Sequence, residues 1–587
     1  MVTVQARTEL KNSIRLCALL FAVLFAVIGV RAWFLQILRS PDLTRTLERQ
    51  YKTSVLLSPK RGTIYDRNGN ELAISVQVES LFARPHMISD PAGLSQRLAG
   101  ILNMEPDAIA DKLREEKPFV WIARKITQQQ AQAVRALEEQ GLEFAKESKR
   151  TYPNGELAGQ VIGFTGLDSE GLEGLEFRMN ETLRGTPQRV AASRDARGRH
   201  LFSEGFCSSA QDDGSDIYLT IDKTIQYIAE KEMQATVAAT GAKSGIAVVM
   251  DPWNGDVLAM AVVPLFDPNN YSQYGRDMWR NRAIADVLEP GSTFKIFVVA
   301  ASLAEKIITP EDTFFCENGT FRIGGRTISD VHPYGWLDVS GIIKHSSNIG
   351  VSKISKHLGT PLFCDYIGRF GFARPTGIEL PAEASGYMPP SERLSEHTRS
   401  VMAFGHSISV TPLQLAQAYS AIANGGVLIQ PKVVKSTRTS DGETRAYQPD
   451  AQGQRVIDHA SAQILTEMMQ TVVEQGGTGV KAAVPGFGVA GKTGTARKIY
   501  NGTYSHNRLV ASFAGFCPVD NPRLTVVVIV DEPRTMTYGG QSAAPAFSRI
   551  AQQALNYLNV APRVQIAAGE APSTIHDQGP PAAGRAG

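Results

Sequence analysis

The sequence predicts an α/β (α+β) protein built on an antiparallel sheet flanked by helices, with a separate N-terminal module and one membrane-spanning helix. Three observations lead there. At 587 residues the chain is too long for one compact domain, and length alone sets a soft expectation of about four units. An apolar stretch lies near the N-terminus. Strand-like runs fall at both ends of one long C-terminal region, with mainly helical patterns between. That segregation favours an antiparallel sheet over βαβ units. The chain is 43% hydrophobic and 20% charged, enough apolar material for large cores and unlike a disordered or fibrous chain. A formal charge of +2 gives no basis for nucleic-acid binding.

Residues 16–30 read LCALLFAVLFAVIGV without a charge, and AWFLQIL extends the stretch to residue 38 past Arg31. A helix over residues 16–38 reaches roughly 35 Å, enough to cross a hydrocarbon layer of ~30 Å. Arg31 can snorkel to the far headgroups, and Trp33 and Phe34 suit the interface. A cleaved signal peptide needs small residues in an A-x-A-like pattern at its cleavage site, and RAWFLQIL does not offer it. Arg7, Lys11 and Arg15 flank the span on the N-terminal side. Positive flanks stay in the cytoplasm, so residues 1–15 are expected inside and the bulk of the protein outside. In a bacterium that means the periplasm or outer face. The five cysteines, Cys17, Cys207, Cys316, Cys364 and Cys517, have no metal-type spacing. Disulfides and isolated thiols both remain open.

RGTIYDRNGNELAISV, residues 61–76, reads as a hairpin turning at 67–70. TQQQAQAVRALEEQGL, residues 127–142, reads as the clearest helix of the N-terminal region, with Gly141 near its end. Past the polar SSAQDDGSD linker, IYLTIDKTIQYIAEKEM reads strand, turn, helix, and IAVVMDP and DVLAMAVV form a buried hairpin across WNG. Far downstream, VASFAGFCP and RLTVVVIVDEP are two further strands. SAAPAFSRIAQQALNYLN, residues 542–559, closes the region as a helix. Residues 560–587 are rich in Ala, Pro and Gly and are expected to be disordered.

The chemistry begins at EPGSTFK, residues 289–295. A serine hydroxyl needs a nearby base to become a nucleophile. Positions i and i+3 share one face of a helix, so Ser292 and Lys295 can touch if a helix begins near Ser292. A helix start also directs free N–H groups at any anion formed there. Lysine acts as a base only when burial or nearby cations lower its pKa. Chance supplies about one such Ser-x-x-Lys in a chain of this size, and a plain cap with a solvated lysine is the competing reading. Two further segments complete a set. In Ser346-Ser347-Asn348 a hydroxyl can relay a proton and a carboxamide can hold a substrate amide. Lys492-Thr493-Gly494-Thr495 lies in a strand-like stretch, where a strand edge can pair with an extended peptide. Lys492 and the two hydroxyls suit a carboxylate, and Gly494 permits close backbone approach. Lys243-Ser244-Gly245 and Ser505-His506-Asn507 imitate parts of the set but not its order.

That trio is the known signature of β-lactamases and penicillin-binding proteins. The chain resembles the class B penicillin-binding proteins, peptidoglycan D,D-transpeptidases of the division-specific FtsI type. The likeness rests on RGTIYDRNGNELA, RTYPNGELAGQVIGF with GLEGLE, GIAVVMDPWNGDVLAMA, NRAIADVLEPGSTFK, TPLQLAQAYSAIANGG, GVAGKTGTARK and DEPRTMTYGGQSAAPAF, in family order. The resemblance implies the penicillin-binding transpeptidase fold at 216–559 behind an elongated, non-catalytic pedestal of the dimerisation type at 50–207. It also implies the roles. Ser292 attacks a D-Ala–D-Ala stem peptide, Lys295 takes its proton and Ser346 relays protons to the leaving group. Asn348 holds the donor, and Lys492, Thr493 and Thr495 bind its carboxylate. Backbone N–H groups of Ser292 and Thr495 form the oxyanion hole. β-Lactams mimic the donor. No cofactor or metal is implied. Expected partners are an FtsW-like membrane glycosyltransferase and other division proteins. Glu173 and Glu176 in GLEGLE are read as structural ion-pair residues, with a partner such as Arg199.

Four alternatives differ by feature. A class A β-lactamase uses an extra glutamate, and no Glu-x-x-Leu-Asn stretch separates SSN from KTGT. A sensor or scaffold that acylates without turnover would be expected to carry a sizeable cytoplasmic effector, against about 15 residues expected inside. Elongation-type relatives often carry Ser-x-Asp and Lys-Ser-Gly where this chain has SSN and KTGT, which favours the division type. A bifunctional glycosyltransferase would need a further module in the space that the pedestal motifs occupy.

Overall fold

The computed structural model describes residues 2–39, 52–57, 59–186, 188–194, 200–201, 213–448, 453–500 and 502–562. Cys207, Arg199 and nearly all of the expected C-terminal tail lie outside them. The chain forms two compact units, one drawn from residues 1–60 and 185–214, the other from 61–184 and 215 onward.

In the first unit, an α-helix over Val2–Trp33 continues through a π-helical turn, Phe34–Leu38. Within the stretch Glu9–Ile37 an 18-residue window has a mean hydropathy of 2.5, and the helix is long and apolar enough to anchor the chain in a membrane. Strand Lys52–Leu57 pairs antiparallel with Gln188–Arg194, which pairs with His200–Leu201.

The second unit begins at the expected hairpin. Ile64–Tyr65 pairs with Glu71–Ala83 around a turn closed by the Asp66 N–H donating to the Asn70 carbonyl. Helix 127–142 is half as long as its periodicity suggests. Thr127 caps it in a capping box with Gln130, but it ends at Arg135. Glu138 and Gly141 then take positive φ, and Leu142–Thr151 pairs along its whole length with Glu71–Ala83. The helical pattern gives way at 136–141 to the turn that feeds this ladder. Arg61 and Arg150 meet buried Glu176 at 2.7 and 2.6 Å, and Tyr152 OH donates to it at 3.3 Å. Glu176 is thus a structural ion-pair residue. Glu173 is only half buried, and burial raises its carboxyl pKa.

The larger sheet positions the site. Helix α1 (Lys223–Thr240), capped by Asp222 and ended by Gly241 in the left-handed region, leads into the hairpin β1 (Ser244–Met250) and β2 (Val257–Val263). Helices α2 (Lys295–Ala304), α3 (Val339–His345), α4 (Asn348–Leu358) and α5 (Pro412–Ala423) follow. The chain returns to the sheet as β3 (Ala490–Tyr500), β4 (Thr503–Cys517) and β5 (Leu524–Asp531), and closes with α6 (Ala543–Tyr557). The order is β2-β1-β5-β4-β3, antiparallel throughout. Ile246, Val248, Val527 and Ile529 pack on the α5 side; Ala247, Val249, Val526 and Val528 pack against α1 and α6. Both faces are covered, which is why LTVVVIV reads as a continuous apolar run instead of alternating. Helix α2 is buried all round, as expected of a helix without a polar face. Cys17, Cys316, Cys364 and Cys517 are free thiols.

Candidate active site

The nucleophile segment does not begin directly as an α-helix. Gly291–Phe294 forms a 3-10 turn that runs into α2 at Lys295, whose N–H donates to the Ser292 carbonyl. A 3-10 turn has three residues per turn, so positions i and i+3 eclipse. Ser292 and Lys295 are thereby stacked along one side more directly than an α-helix would stack them. Gly291 has φ +56°, and a Cβ on Gly405 would sit 2.2–2.8 Å from the Gly291 backbone. Two glycines let these chains touch. Ser292 is half buried, while Lys295 is wholly buried.

The second motif closes over that lysine. Lys295 Nζ donates to the Ser346 carbonyl at 2.5 Å and lies 3.0 Å from Ser346 Oγ. Ser346 ends α3 in the left-handed region, φ 62° and ψ 40°. For a residue with a Cβ this costs of order 1 kcal/mol and occurs mainly where the surroundings enforce it. Ser347 caps α4. Asp330 organises the segment: its carboxylate accepts from Ser347 Oγ at 2.6 Å, the Asn348 N–H at 2.5 Å and the Ile349 N–H at 3.1 Å. Asn348 Nδ2 donates to the Ser329 carbonyl at 2.9 Å.

The third motif lies on outer strand β3, paired with β4 from Ala490 to Arg497. Lys492 is wholly buried. Its Nζ donates weakly to the Thr493 carbonyl at 3.4 Å, and among the described residues it has no carboxylate partner. Burial pushes its amine down to about 7. Burial also holds Lys295 well below the usual lysine range; the nearby Lys492 charge adds to the effect, and Asp330 opposes it. Thr493 Oγ1 lies 2.8 Å from Thr478 Oγ1, and Thr495 Oγ1 accepts from the Gly539 N–H at 3.1 Å. A Cβ on Gly494 would meet Ser512 Oγ, Thr293 Cγ2 and the Pro290 carbonyl within 3.0 Å. This glycine lets β3 lie against the nucleophile turn.

The fold thus brings Ser292, Lys295, Ser346 and the Lys492–Thr495 stretch together, with Asn348 one helix start away. The decoys go elsewhere. Ser244 and Gly245 open the interior strand β1, and Ser505 and Asn507 lie on the exposed part of β4. Asp330, Thr478 and Glu289 escape sequence reading, because each acts across segments with no fixed spacing to a motif. Among the described residues no group of His, Cys, Asp and Glu is placed to hold a metal ion.

Residues 245–552 match the penicillin binding protein transpeptidase domain family, and residues 56–219 match the penicillin-binding protein dimerisation domain. The chain belongs to the class B penicillin-binding proteins. The probable peptidoglycan D,D-transpeptidase PenA of Neisseria gonorrhoeae is 37% identical over 92% of each chain. The peptidoglycan D,D-transpeptidase FtsI of Escherichia coli K12 is 33% identical over 97% of this chain and 95% of its own. Penicillin binding protein 3 of Mycobacterium tuberculosis, solved in complex with aztreonam, is 28% identical with a TM-score of 0.69, covering 86% of this chain and 98% of that one.

Proposed function

We propose that this penicillin-binding protein is a peptidoglycan D,D-transpeptidase that works through an acyl-enzyme on Ser292. Ser292 Oγ attacks the carbonyl between the two terminal D-alanines of a stem peptide, and Lys295 takes the hydroxyl proton. The oxyanion accepts hydrogen bonds from the Ser292 and Thr495 N–H groups. The C–N bond breaks, Ser346 passes a proton to the leaving amine, and D-alanine departs. Asn348 holds the donor backbone, and Lys492, Thr493 and Thr495, on strand β3, bind the terminal carboxylate. An amine from a neighbouring stem peptide then attacks the ester, forms the cross-link and frees Ser292. β-Lactams enter as donor mimics and leave Ser292 acylated.

One observation carries this reading: a fully buried lysine, held on Ser346 one 3-10 turn from Ser292, beside a second buried lysine that lacks an acid partner. Such a pair disfavours a charge on Lys295 and leaves Lys492 in want of an anion. Labelled penicillin followed by denaturing gel electrophoresis tests it. Ser292→Ala is expected to abolish labelling while the protein stays folded; undiminished labelling would overturn the assignment.

The likeness to FtsI, together with SSN and KTGT, supports a septal role in cell division alongside an FtsW-like glycosyltransferase. The basic residues before the apolar helix support a cytoplasmic N-terminus and a catalytic region outside the inner membrane. On the same grounds we assign residues 50–207 to the pedestal and 216–559 to transpeptidation. A fluorescent fusion found along the side wall instead of at midcell would refute the septal part.

A further inference from the structure

Glu289, three residues before Ser292, spends its carboxylate on other segments. Oε1 accepts from the Ser407 N–H at 2.8 Å and from the Tyr504 hydroxyl at 3.0 Å, and Oε2 lies 2.6 Å from His406 Nδ1. The His406 ring meets Tyr504 edge-on, with centroids 5.5 Å apart. One carboxylate therefore joins the nucleophile turn, the 404–410 segment and the β3–β4 hairpin.

The first of these joints is rigid without Glu289. Leu288 and Val410 exchange both backbone hydrogen bonds at 2.9 Å, and the Gly291 N–H donates to the Gly405 carbonyl at 3.1 Å. The hairpin end is held less firmly. The β3–β4 ladder shifts register between Arg497 and Ile499, and such an irregularity bends a strand and interrupts its pairing. Ile499, Tyr500 and Tyr504 beyond it are exposed. Lys498 on Asp531 and Glu532, and Arg508 over the Tyr500 ring, tie the hairpin to its own sheet. Tyr504 ties it to the segment that carries Ser292.

We propose that Glu289 is a positioning residue, a latch that holds the β3–β4 hairpin against the nucleophile turn through Tyr504. It fixes the width of the groove between Ser292 and the Lys492–Thr495 stretch. A donor peptide, or a β-lactam carrying its carboxylate, has to fill that groove before acylation. His406 and the Ser407 N–H orient the carboxylate for Tyr504. Glu289 itself takes no part in bond making, so the latch acts on formation of the non-covalent complex and not on the acylation step. The inference rests on the proposed Ser292 chemistry.

The test is acylation kinetics of the full chain with a fluorescent penicillin, resolving the dissociation constant of the first complex from the first-order acylation rate. Tyr504→Phe, at an exposed position, removes one hydroxyl. A hydrogen bond to a charged group makes an expected rise in dissociation constant of about fivefold or more, with the acylation rate within about twofold of wild type. The double variant with Glu289→Gln is expected to be no worse than Glu289→Gln alone, because both break one contact. An unchanged dissociation constant in Tyr504→Phe, a loss confined to the acylation rate, or additive losses in the double variant would each overturn the latch. If Glu289→Gln does not fold, Tyr504→Phe alone decides. Ser292→Ala serves as the separate control: persistent labelling there refutes the nucleophile assignment, whatever the latch does.

Discussion

Lys492 is a buried ammonium site with no acid beside it among the described residues, and burial brings its amine to about 7. Two opposed pH effects follow. In the proposed reaction acylation needs Lys295 neutral, so the rate is expected to rise with pH as that lysine, held well below its ordinary range, loses its proton. The proposed carboxylate binding needs Lys492 charged, so the second-order rate is expected to fall again as pH passes about 7. The two lysines interact, and the limbs belong to the pair. For a donor with an amidated terminus the falling limb is expected to vanish; its persistence would remove Lys492 from carboxylate binding. Asp330→Asn makes a companion prediction. It deletes the charge that favours protonated Lys295, so the rising limb moves to lower pH. It also disturbs three hydrogen bonds at the start of α4, at a cost of about 1–3 kcal/mol by denaturant unfolding. Ser292, Lys295, Ser346, Asn348 and Lys492 could be proposed from sequence because the chemistry assigned to them asks for fixed spacings or a fixed order. Asp330 and Glu289 could not, since they reach their partners across separate loops.

At the scale of elements, the 3-10 turn Gly291–Phe294 and the left-handed Ser346 set the two hydroxyls around Lys295. The Ser-x-x-Lys spacing asks for a helix start near Ser292 but does not show its tighter first turn, which lies against Gly405. Gly405→Ala tests that contact. Its Cβ would lie 2.2 Å from the Gly291 carbonyl oxygen at φ +80°, so backbone has to move. A displacement of about 1 Å at the reacting atoms can cost on the order of 100-fold. Penicillin acylation is expected to fall by about that factor; wild-type rates would show that the turn tolerates the shift. The helix expected over 127–142 stops early for a similar reason. Residues 136–141 turn, with Glu138 and Gly141 at positive φ, to feed Leu142–Thr151 into its ladder with Glu71–Ala83, a distant partner that a local pattern does not display.

Across the whole second unit, Glu230 joins the N-terminal and catalytic halves. Its Oε1 accepts from the Ala158 N–H at 2.8 Å and from Gln226 Nε2 at 2.7 Å. Burial pushes the carboxyl up to about 7, against the pull of those two bonds. Between the ordinary carboxyl range and about pH 7 the folded protein keeps a proton that the unfolded chain has released. Stability from this group is therefore complete at low pH, falls through that window and levels off above it, by on the order of 3 kcal/mol in all. Glu230→Gln keeps an acceptor oxygen and cannot ionise. The loss of thermal stability between pH 5 and pH 8 is expected to be smaller in the variant; equal losses would show that Glu230 is not the titrating group.

The sequence by itself determined the membrane-length apolar helix, the doubly buried strands of the central sheet and the order of the three motifs. Each is a local matter of hydrophobic pattern or of residue type at fixed spacing. Only the tertiary structure decided the electrostatics and the fine geometry: that Lys295 and Lys492 are both dehydrated, that Asp330 stands near one of them, and that Glu289 bridges to Tyr504. Dehydration and charge proximity depend on which distant segments exclude water from a site, and no window of neighbouring residues encodes that.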